Sequence, residues 1–326
     1  MRILTTLPQD DLGRVPVAAR EAETAGYDGI VTSENRHDPF LALAVASVAS
    51  TRLSLQTGIA ISFSRSPMAV ANTSWDLQSA SRGRFVLGLG SSSHAIIGDW
   101  NGIDFEAPLG HVRESVAILR QALAGEKTDF RGRHFRSKGF KLGSAPRKPM
   151  RIYLAALREQ MLRLAGAIGE GLIINFQPAS AMPQILAAYR AGATAAGRDA
   201  SRDEVVCRFQ VCLTDDRARA RGLVRLGFGA YLAAPVYNAY LDWCGFPDEA
   251  RAIREAFAKR DRQAVAAAIP DALVDRIAIL GSEDECRAQL AEFVKAGVTT
   301  PVLAPLATSP AEAERIYATF APTRRG

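Results

Sequence analysis

The sequence predicts an α/β protein, a single (β/α)8 (TIM) barrel over residues 1–326, and three observations support this fold. Short runs rich in β-branched residues alternate with runs of helical length, which predicts a parallel sheet. Eight such strands can be counted, and eight strand–helix units close into a barrel. No linker rich in Pro, Gly or Ser divides the 326 residues, and barrels routinely reach this length as one domain.

The first four strands alternate strictly with helices. Gly26 follows the first helix in the C-cap position, and Pro39 and Pro67 stand where the next two helices open. The strands are predicted at residues 3–7, 28–33, 53–61 and 85–90. The helices between them are predicted at residues 15–25, 40–50 and 68–80.

The second half continues this alternation with two insertions. A basic, hairpin-like insertion at residues 127–151 precedes the fifth strand, because residues 129–135 alternate around Gly132. A mostly helical insertion at residues 215–280 lies between the seventh and eighth strands. The remaining strands are predicted at residues 152–156, 172–176, 205–214 and 298–304. The remaining helices are predicted at residues 112–124, 158–168, 181–196, 283–296 and 311–320.

Positive charge is concentrated in the first insertion. Residues 127–151 hold nine basic residues and one acidic residue, a net charge of +8, whereas the whole chain has +6. One interpretation is a solvated surface excursion, and the other is a field that draws in an anionic cofactor. A nucleic-acid interface would need a contiguous basic face with stacking rings, for which Phe130, Phe135 and Phe140 are available. We expect a small-molecule ligand and no nucleic acid.

The sequence predicts no membrane-spanning segment, no metal site and no disulfide framework. The longest nearly apolar run, residues 41–49, is less than half of the roughly 20 residues that cross a bilayer. The amino terminus has no apolar stretch of signal-peptide length, so a cytoplasmic location is expected. The four histidines are scattered, and the four cysteines form no C-x-x-C pair. We therefore interpret the cysteines as packing residues.

The chemistry of a (β/α)8 barrel lies where the strands run into the following loops. Glu34 and His37 follow the second strand and His94 follows the fourth, so these three are the candidate catalytic residues for proton exchange. The alternative roles are structural. In that case Glu34 pairs with Arg36 or Arg65, and His37 caps the next helix.

Small residues end the fourth and fifth strands, at Gly90-Ser91-Ser92 and Ala155-Ala156. Such residues let backbone N–H groups approach a ligand closely, and serine hydroxyls add donors, which suits a phosphate group. The alternative for these positions is strand termination and close packing.

Several segments, in order along the chain, resemble the luciferase-like flavin and deazaflavin (coenzyme F420) oxidoreductases. The most specific is SRGRFVLGLG at residues 81–90, and AETAGYDGIV at residues 22–31, followed by Ser33-Glu34, resembles the second strand of the family. The other segments are LQTGIA at 55–60, GRHF at 132–135, IYLAAL at 152–157, Ala165-Gly166 with GEGL at 169–172, and AGV at 296–298. The resemblance covers most of the chain and is weakest at residues 215–276.

The resemblance implies an enzyme in which coenzyme F420, bound at the mouth of the barrel, exchanges hydride with an unidentified organic substrate. It also implies a cis peptide bond between Gly58 and Ile59, and a homodimer. The implied cofactor-binding residues are Gly58, Ile59, Gly90, Ser91, Ser92, Ala155, Ala156, Leu157 and Asn175. The sequence departs from the sugar-phosphate dehydrogenase branch, since Ser93 and Glu34-Asn35 replace that branch's acidic residue and Asp-His pair.

Two alternatives remain open at this point. The first is an FMN-dependent monooxygenase of the same superfamily, which uses molecular oxygen and reduced flavin from a partner reductase. The second belongs to a different class, a non-catalytic barrel that stores or senses a flavin. The insertion at residues 215–280 is expected to help form a lid, and its aromatic residues indicate either an apolar substrate or core packing. These residues are Phe228, Tyr231, Tyr237, Tyr240 and Trp243.

Overall fold

Eight parallel strands close into the predicted barrel in this computed structural model, which describes residues 1–322. The strands in that part of the chain are β1 (Leu4–Thr6), β2 (Gly29–Thr32), β3 (Ser54–Thr57), β4 (Ala60–Ile61), β5 (Phe85–Gly90), β6 (Asp129–Arg131), β7 (Arg136–Lys138), β8 (Arg151–Ala155), β9 (Gly171–Asn175), β10 (Glu204–Leu213), β11 (Ile279–Gly281) and β12 (Thr300–Pro305). The barrel order is β1, β2, β3, β5, β8, β9, β10 and β12, and β12 pairs with β1 to close it. The predicted fold class is confirmed.

Helices surround the barrel strands. They are α1 (Val15–Thr24), α2 (Pro39–Ala49), α3 (Pro67–Ala80), α4 (Pro108–Leu123), α5 (Glu159–Ile168), α6 (Met182–Ala195), α7 (Arg217–Ala233), α8 (Pro235–Trp243), α9 (Pro247–Ala258), α10 (Arg262–Ala267), α11 (Asp271–Ile277), α12 (Glu283–Lys295) and α13 (Pro310–Phe320). A π-helical turn at Ala95–Trp100 and a 3-10 turn at Ala179–Ala181 interrupt the loops. No helix within residues 1–322 combines the length and apolar character that crossing a membrane requires.

The third barrel strand differs from the continuous strand predicted at residues 53–61. It is divided into β3 and β4 at the Gly58–Ile59 peptide bond, which is cis. Both parts pair with β5. Between them the Thr57 hydroxyl donates to the Gly88 carbonyl oxygen at 2.8 Å and accepts the Gly88 N–H at 2.9 Å. A side chain thus replaces the missing ladder bonds, an arrangement that apolar periodicity does not reveal.

The insertion between the last two barrel strands contains the predicted helices, α7 to α11, but it ends in a short strand. The prediction of helical structure up to residue 280 is wrong for its last two residues, Ile279 and Leu280, which belong to β11 (Ile279–Gly281). Ile279 and Leu280 are buried and pair with the part of β10 that extends beyond its contact with β9. A strand of three residues is too short for a periodic signal, and its partner exists only because β10 is long.

The lumen of the barrel is filled by side chains. Seven buried residues form one cluster there, on which the side chains of Ile59 and Ala155 lie partly exposed. The seven residues are Leu4, Val31, Val86, Tyr153, Ile173, Val206 and Val302. A larger cluster lies between the strands and the surrounding helices. Because the lumen is packed, we expect a ligand to bind at the carboxyl ends of the strands.

The basic insertion forms the predicted hairpin, in which β6 pairs antiparallel with β7. Its turn is held to α4 by the Glu114 carboxylate, which accepts the backbone N–H groups of residues 133–135 at 2.8 to 2.9 Å. Phe135 meets the His111 ring edge-on, with 4.5 Å between ring centroids, and Phe140 packs on the main core. Two of the three aromatic rings are therefore engaged in packing, which weakens the case for a nucleic-acid interface.

Candidate active site at the mouth of the barrel

Three of the predicted cofactor-binding residues meet on the floor of the mouth. Ile59 and Ala155 lie on top of the lumen cluster. Gly90 faces both of them, since a Cβ added there would lie 2.5 Å from Ile59 Cδ1 and 3.0 Å from Ala155 Cβ. The floor is therefore apolar and has no side chain at Gly90, a surface suited to a flat ring. The same distances support the alternative of close packing, so both roles apply to Gly90.

The segment around Gly58 and Ile59 is held by the loop that follows β2. The Gly58 N–H donates to the Thr32 carbonyl oxygen at 2.6 Å, and the Glu34 N–H donates to the Ile59 carbonyl oxygen at 3.0 Å. The Glu34 carboxylate accepts the Ile61 N–H at 2.7 Å. Three hydrogen bonds thus fix the position of the floor relative to β2, and two of them come from Glu34.

Both carboxylate oxygens of Glu34 are engaged. Oε1 accepts from the Ser64 hydroxyl at 3.1 Å and lies 3.1 Å from a guanidinium nitrogen of Arg65. Arg65 also pairs with Asp38 at 2.6 Å. Burial alone would lower the pKa of Arg65, but the hydrogen bonds and charges of Glu34 and Asp38 outweigh it and raise this pKa. Of the two structural partners considered for Glu34, the observed one is Arg65.

The two predicted catalytic histidines lie exposed on loops at the rim. His37 follows β2, and His94 immediately precedes the π-helical turn. The structural alternative for His37 is wrong, because Asp38 caps α2 by accepting the Phe40 N–H at 2.7 Å and the Leu41 N–H. Among residues 1–322, neither imidazole makes a hydrogen bond; the His37 side chain is exposed, and the His94 ring lies against Gly98 of the π-helical turn.

The loop after β5 offers backbone donors. Ser92 has φ of 65° in the left-handed region, and the backbone N–H groups of residues 91–93 have no acceptor within the described part of the chain. The Ser91 hydroxyl makes only a 3.4 Å contact with the Ser92 carbonyl oxygen. Neighbouring N–H groups without acceptors are a cradle for an anion such as a phosphate. On this donor set, the loop fits the phosphate of a flavin or deazaflavin.

The other predicted cofactor residues differ in what they offer. The Ala156 N–H donates to the Ile173 carbonyl oxygen at 3.1 Å, so this backbone donor is already used and Ala156 is buried. Leu157 is partly buried at the end of the fifth barrel strand. Asn175 ends β9, and its buried Oδ1 atom has no hydrogen-bond partner. Asn175 is thus the member of this group with polar capacity left for a ligand.

Sequence reasoning missed two polar residues of the mouth, Arg208 and Gln210. They follow Val206 on β10 with a period of two, and Val206 belongs to the lumen cluster. Arg208 is in register with Asn175 of β9. The signal that could have revealed them was the alternation Val206, Arg208, Gln210 within a strand otherwise rich in apolar residues.

Aromatic residues of the helical insertion form a wall beside these polar groups. The Phe176 ring lies 5.2 Å from the Phe228 ring and 5.8 Å from the Tyr237 ring, centroid to centroid. Tyr231 lies 5.9 Å from Tyr237. Burial raises the pKa of Tyr237 to about 12, so its hydroxyl stays protonated at neutral pH and can donate. The insertion therefore does contribute to the mouth.

The remaining aromatic residues and the cysteines have packing roles. Tyr240 is fully buried and stacks on Trp243, with 6.0 Å between ring centroids. All four cysteines are buried and free, as expected for packing residues. Over residues 1–322, no group of three or more His, Cys, Asp or Glu side chains is placed to hold a metal ion.

Fold and site together define a barrel enzyme whose mouth has an apolar floor, a backbone cradle for an anion and an aromatic wall beside polar side chains. The chain belongs to the luciferase-like monooxygenase family, which it matches over residues 2–300. This membership confirms the predicted resemblance and the class of a luciferase-like oxidoreductase or monooxygenase.

Individual relatives agree with this placement. A 5,10-methylenetetrahydromethanopterin reductase of Methanolobus tindarius is 30% identical over 301 residues, which cover 90% of each chain. The coenzyme F420-dependent tetrahydromethanopterin reductase of Methanopyrus kandleri has a similar structure, with a TM-score of 0.80 and 21% identity over 98% of this chain and 97% of that one. The oxygenating constituent of 3,6-diketocamphane monooxygenase from Pseudomonas putida, in complex with FMN, is also similar in structure. Its TM-score is 0.72, with 19% sequence identity over 99% of this chain and 97% of that one.

Proposed function

We propose that the protein is an oxidoreductase that transfers hydride between coenzyme F420, bound at the mouth of the barrel, and an organic substrate. The observation that carries this proposal is the combination of the floor of Ile59, Gly90 and Ala155 with the backbone donors of residues 91–93. A planar ring that bears a phosphate-linked side chain fits both features. The names of the Methanolobus and Methanopyrus relatives, both reductases, support the assignment.

The proposed cofactor contacts divide into two groups. Gly58, Ile59, Gly90 and Ala155 would support the ring, and the loop at residues 91–93 would hold the phosphate. Leu157 and Asn175, at the ends of the next two barrel strands, would border the ring. The deazaflavin ring supplies a carbon that accepts or gives hydride, whereas oxygen activation is characteristic of a flavin.

The chain's own groups would orient this chemistry and exchange the proton. Glu34 has both oxygens engaged, so we assign it the role of a positioning residue that fixes the floor through Ile61 and Arg65. His37 and His94 are exposed imidazoles on the loops after the second and fourth barrel strands, and we propose them for proton exchange with the substrate. Histidine is the side chain most often used as a general acid or base in enzymes.

An FMN-dependent monooxygenase is the second candidate function. The FMN-bound structural neighbour and the family to which the chain belongs favour it, and it would need reduced flavin from a partner reductase and molecular oxygen. Reduction of F420 would equally come from a separate enzyme. A non-catalytic flavin-binding barrel would bind cofactor without turnover. The three functions differ first in which cofactor the mouth accepts and then in whether bound reduced cofactor is consumed.

We further propose a homodimer that uses the outer face of α2, in a protein of the cytoplasm. Leu41, Ala44, Val45 and Val48 recur at helical spacing on this face. Leu41 is 55% exposed and Val48 is 81% exposed. An apolar stripe of this kind on a surface helix is typical of a protein–protein contact.

A binding experiment with a blocked floor tests the proposed site. In the Ala155→Leu variant the larger side chain would occupy the space above the floor, so we expect the affinity for F420 to fall at least about tenfold. Ala318→Leu, on the exposed face of α13, is the matched control and should bind F420 like the wild type. Fluorescence titration of each apoprotein gives the dissociation constants, and melting temperatures confirm folding. Equal affinity in all three folded proteins would contradict the proposed site.

A further inference from the structure

One arginine at the mouth is partly buried and has no acidic partner among residues 1–322. Arg208 lies on the inward face of β10, above Val206 of the lumen cluster and in register with Asn175 and Val302. Among residues 1–322 its guanidinium group makes no ion pair and no hydrogen bond. The titratable groups that interact with it are the phenols of Tyr231 and Tyr237.

A partly buried arginine without an ion pair loses hydration without a compensating charge. Burial disfavours the charged form and lowers the pKa of Arg208, yet an arginine does not lose its proton in a protein. The cost of burying a charge is normally offset by a carboxylate, as for Arg65 with Glu34 and Asp38. The five N–H donors of Arg208 therefore keep their capacity for a ligand.

Other groups with unused capacity surround Arg208. Gln210, the next inward residue of β10, has a buried Nε2 atom with no partner, and the buried Oδ1 atom of Asn175 also has none. The Tyr237 hydroxyl stays protonated at neutral pH. Together, Arg208, Gln210, Asn175 and Tyr237 offer more hydrogen-bond donors than acceptors. This suits a ligand group that carries a negative charge on two or more oxygens.

The position of Arg208 separates it from the proposed ring floor and phosphate loop, although its neighbour Asn175 also borders the proposed ring site. β10 is the seventh strand of the barrel and lies across from the third, which carries Gly58 and Ile59. The backbone donors of residues 91–93 follow the fourth strand. Arg208 lies instead near the phenols of Tyr231 and Tyr237, whose rings pack with Phe176 in the aromatic wall.

We propose that Arg208 binds an acidic group of the substrate, a carboxylate or a phosphate, while the apolar body of the substrate lies against Phe176, Phe228 and Tyr231. The assignment to a substrate rests on the proposed function, but binding of the anion itself does not. The substrate class is therefore an organic acid or phosphate ester with an apolar or aromatic body.

Small probes on the cofactor-free protein test this directly. Benzoate and phenyl phosphate present an acid on an aromatic body, and benzamide is the uncharged counterpart. Calorimetric titration should show that Arg208→Met weakens benzoate and phenyl phosphate at least about tenfold and leaves benzamide unchanged. Arg208→Lys should restore part of the affinity, and Arg251→Met, on the exposed face of α9, is the charge-matched control.

Thermal stability provides a readout that a structural role would not give. Removing a partly buried charge that has no ion pair should leave the melting temperature of Arg208→Met unchanged or raise it by up to about 2 °C. A lower melting temperature, probe affinity equal to that of the wild type, or no binding of either acid to the wild type at millimolar concentration would overturn the proposal.

F420 titration of the same variants separates the two possible sources of the acid. If Arg208→Met weakens F420 tenfold and leaves benzoate unchanged, the arginine serves the cofactor and the proposal is wrong. A third outcome is that the wild type binds benzoate but neither F420 nor FMN, and that Arg208→Met no longer binds benzoate. In that case the anion site stands and the proposed function fails.

Discussion

Removing the carboxylate of Glu34 is expected to destabilise the protein and the floor of the mouth. Glu34→Ala leaves the N–H of the buried Ile61 without its acceptor, which costs about 1–3 kcal/mol. It also removes one of the two carboxylates of Arg65. That pair is partly solvated, with side chains 14% and 25% exposed, and Asp38 remains, so we assign it about 1 kcal/mol. The expected loss of unfolding free energy is about 2–4 kcal/mol.

Denaturation with urea measures this loss, and two further variants control it. Glu34→Gln keeps an acceptor for the Ile61 N–H and should lose about half as much. Glu159→Ala removes an exposed pair with Arg163 within α5, and it should cost less than about 0.5 kcal/mol. Because Glu34 fixes the floor, Glu34→Ala should also weaken F420 binding. A loss below about 1 kcal/mol with unchanged F420 affinity would refute the assigned role of Glu34.

Three further predictions concern packing, assembly and pH. A Cβ at Gly88 would overlap the backbone of β3, so Gly88→Ala should lower the free energy of unfolding by at least about 3 kcal/mol. Gly143 faces open space, so Gly143→Ala should leave the free energy of unfolding unchanged. Urea denaturation measures both. Val48→Glu places a charge on the apolar stripe of α2 and should shift a dimer to a monomer in light scattering; an unchanged mass would contradict the proposed interface. Burial opposes ionisation of Glu204, but Arg2 and other partners outweigh it and lower its pKa. Its stabilisation is therefore present at neutral pH and lost as the pH falls below about 4.5, and Glu204→Gln should flatten that acid limb of the stability profile.

The sequence was sufficient for the barrel because each barrel strand carries its own local signal. Strand runs such as residues 85–90 are buried on both faces and read as continuous apolar segments. The division at Gly58 and the strand at Ile279–Gly281 gave no such signal. Both depend on pairing partners, β5 and the far end of β10, that are distant in the chain.

The sequence indicates those site residues that lie at the ends of predicted strands. It does not indicate those whose position depends on how the strands are paired. The strand order brings together Ile59, Gly90 and Ala155, three of the residues that the resemblance implied for the cofactor; their role in binding stays a prediction. The engagement of Glu34 with Arg65 could be given only as one of two pairings, because the loop conformation decides it. Arg208 was missed because a basic residue within a strand has no local mark that distinguishes the lumen from the outer face until the alternation with Val206 is used.

The measurement that tests the central claim most directly is titration of purified apoprotein with F420 and, separately, with FMN, followed by protein and cofactor fluorescence at two salt concentrations. We predict micromolar binding of F420, weaker binding of FMN, and loss of F420 affinity as salt screens the phosphate contact. Preference for FMN, with oxygen consumed when the reduced flavin is supplied, would contradict the claim and identify a monooxygenase.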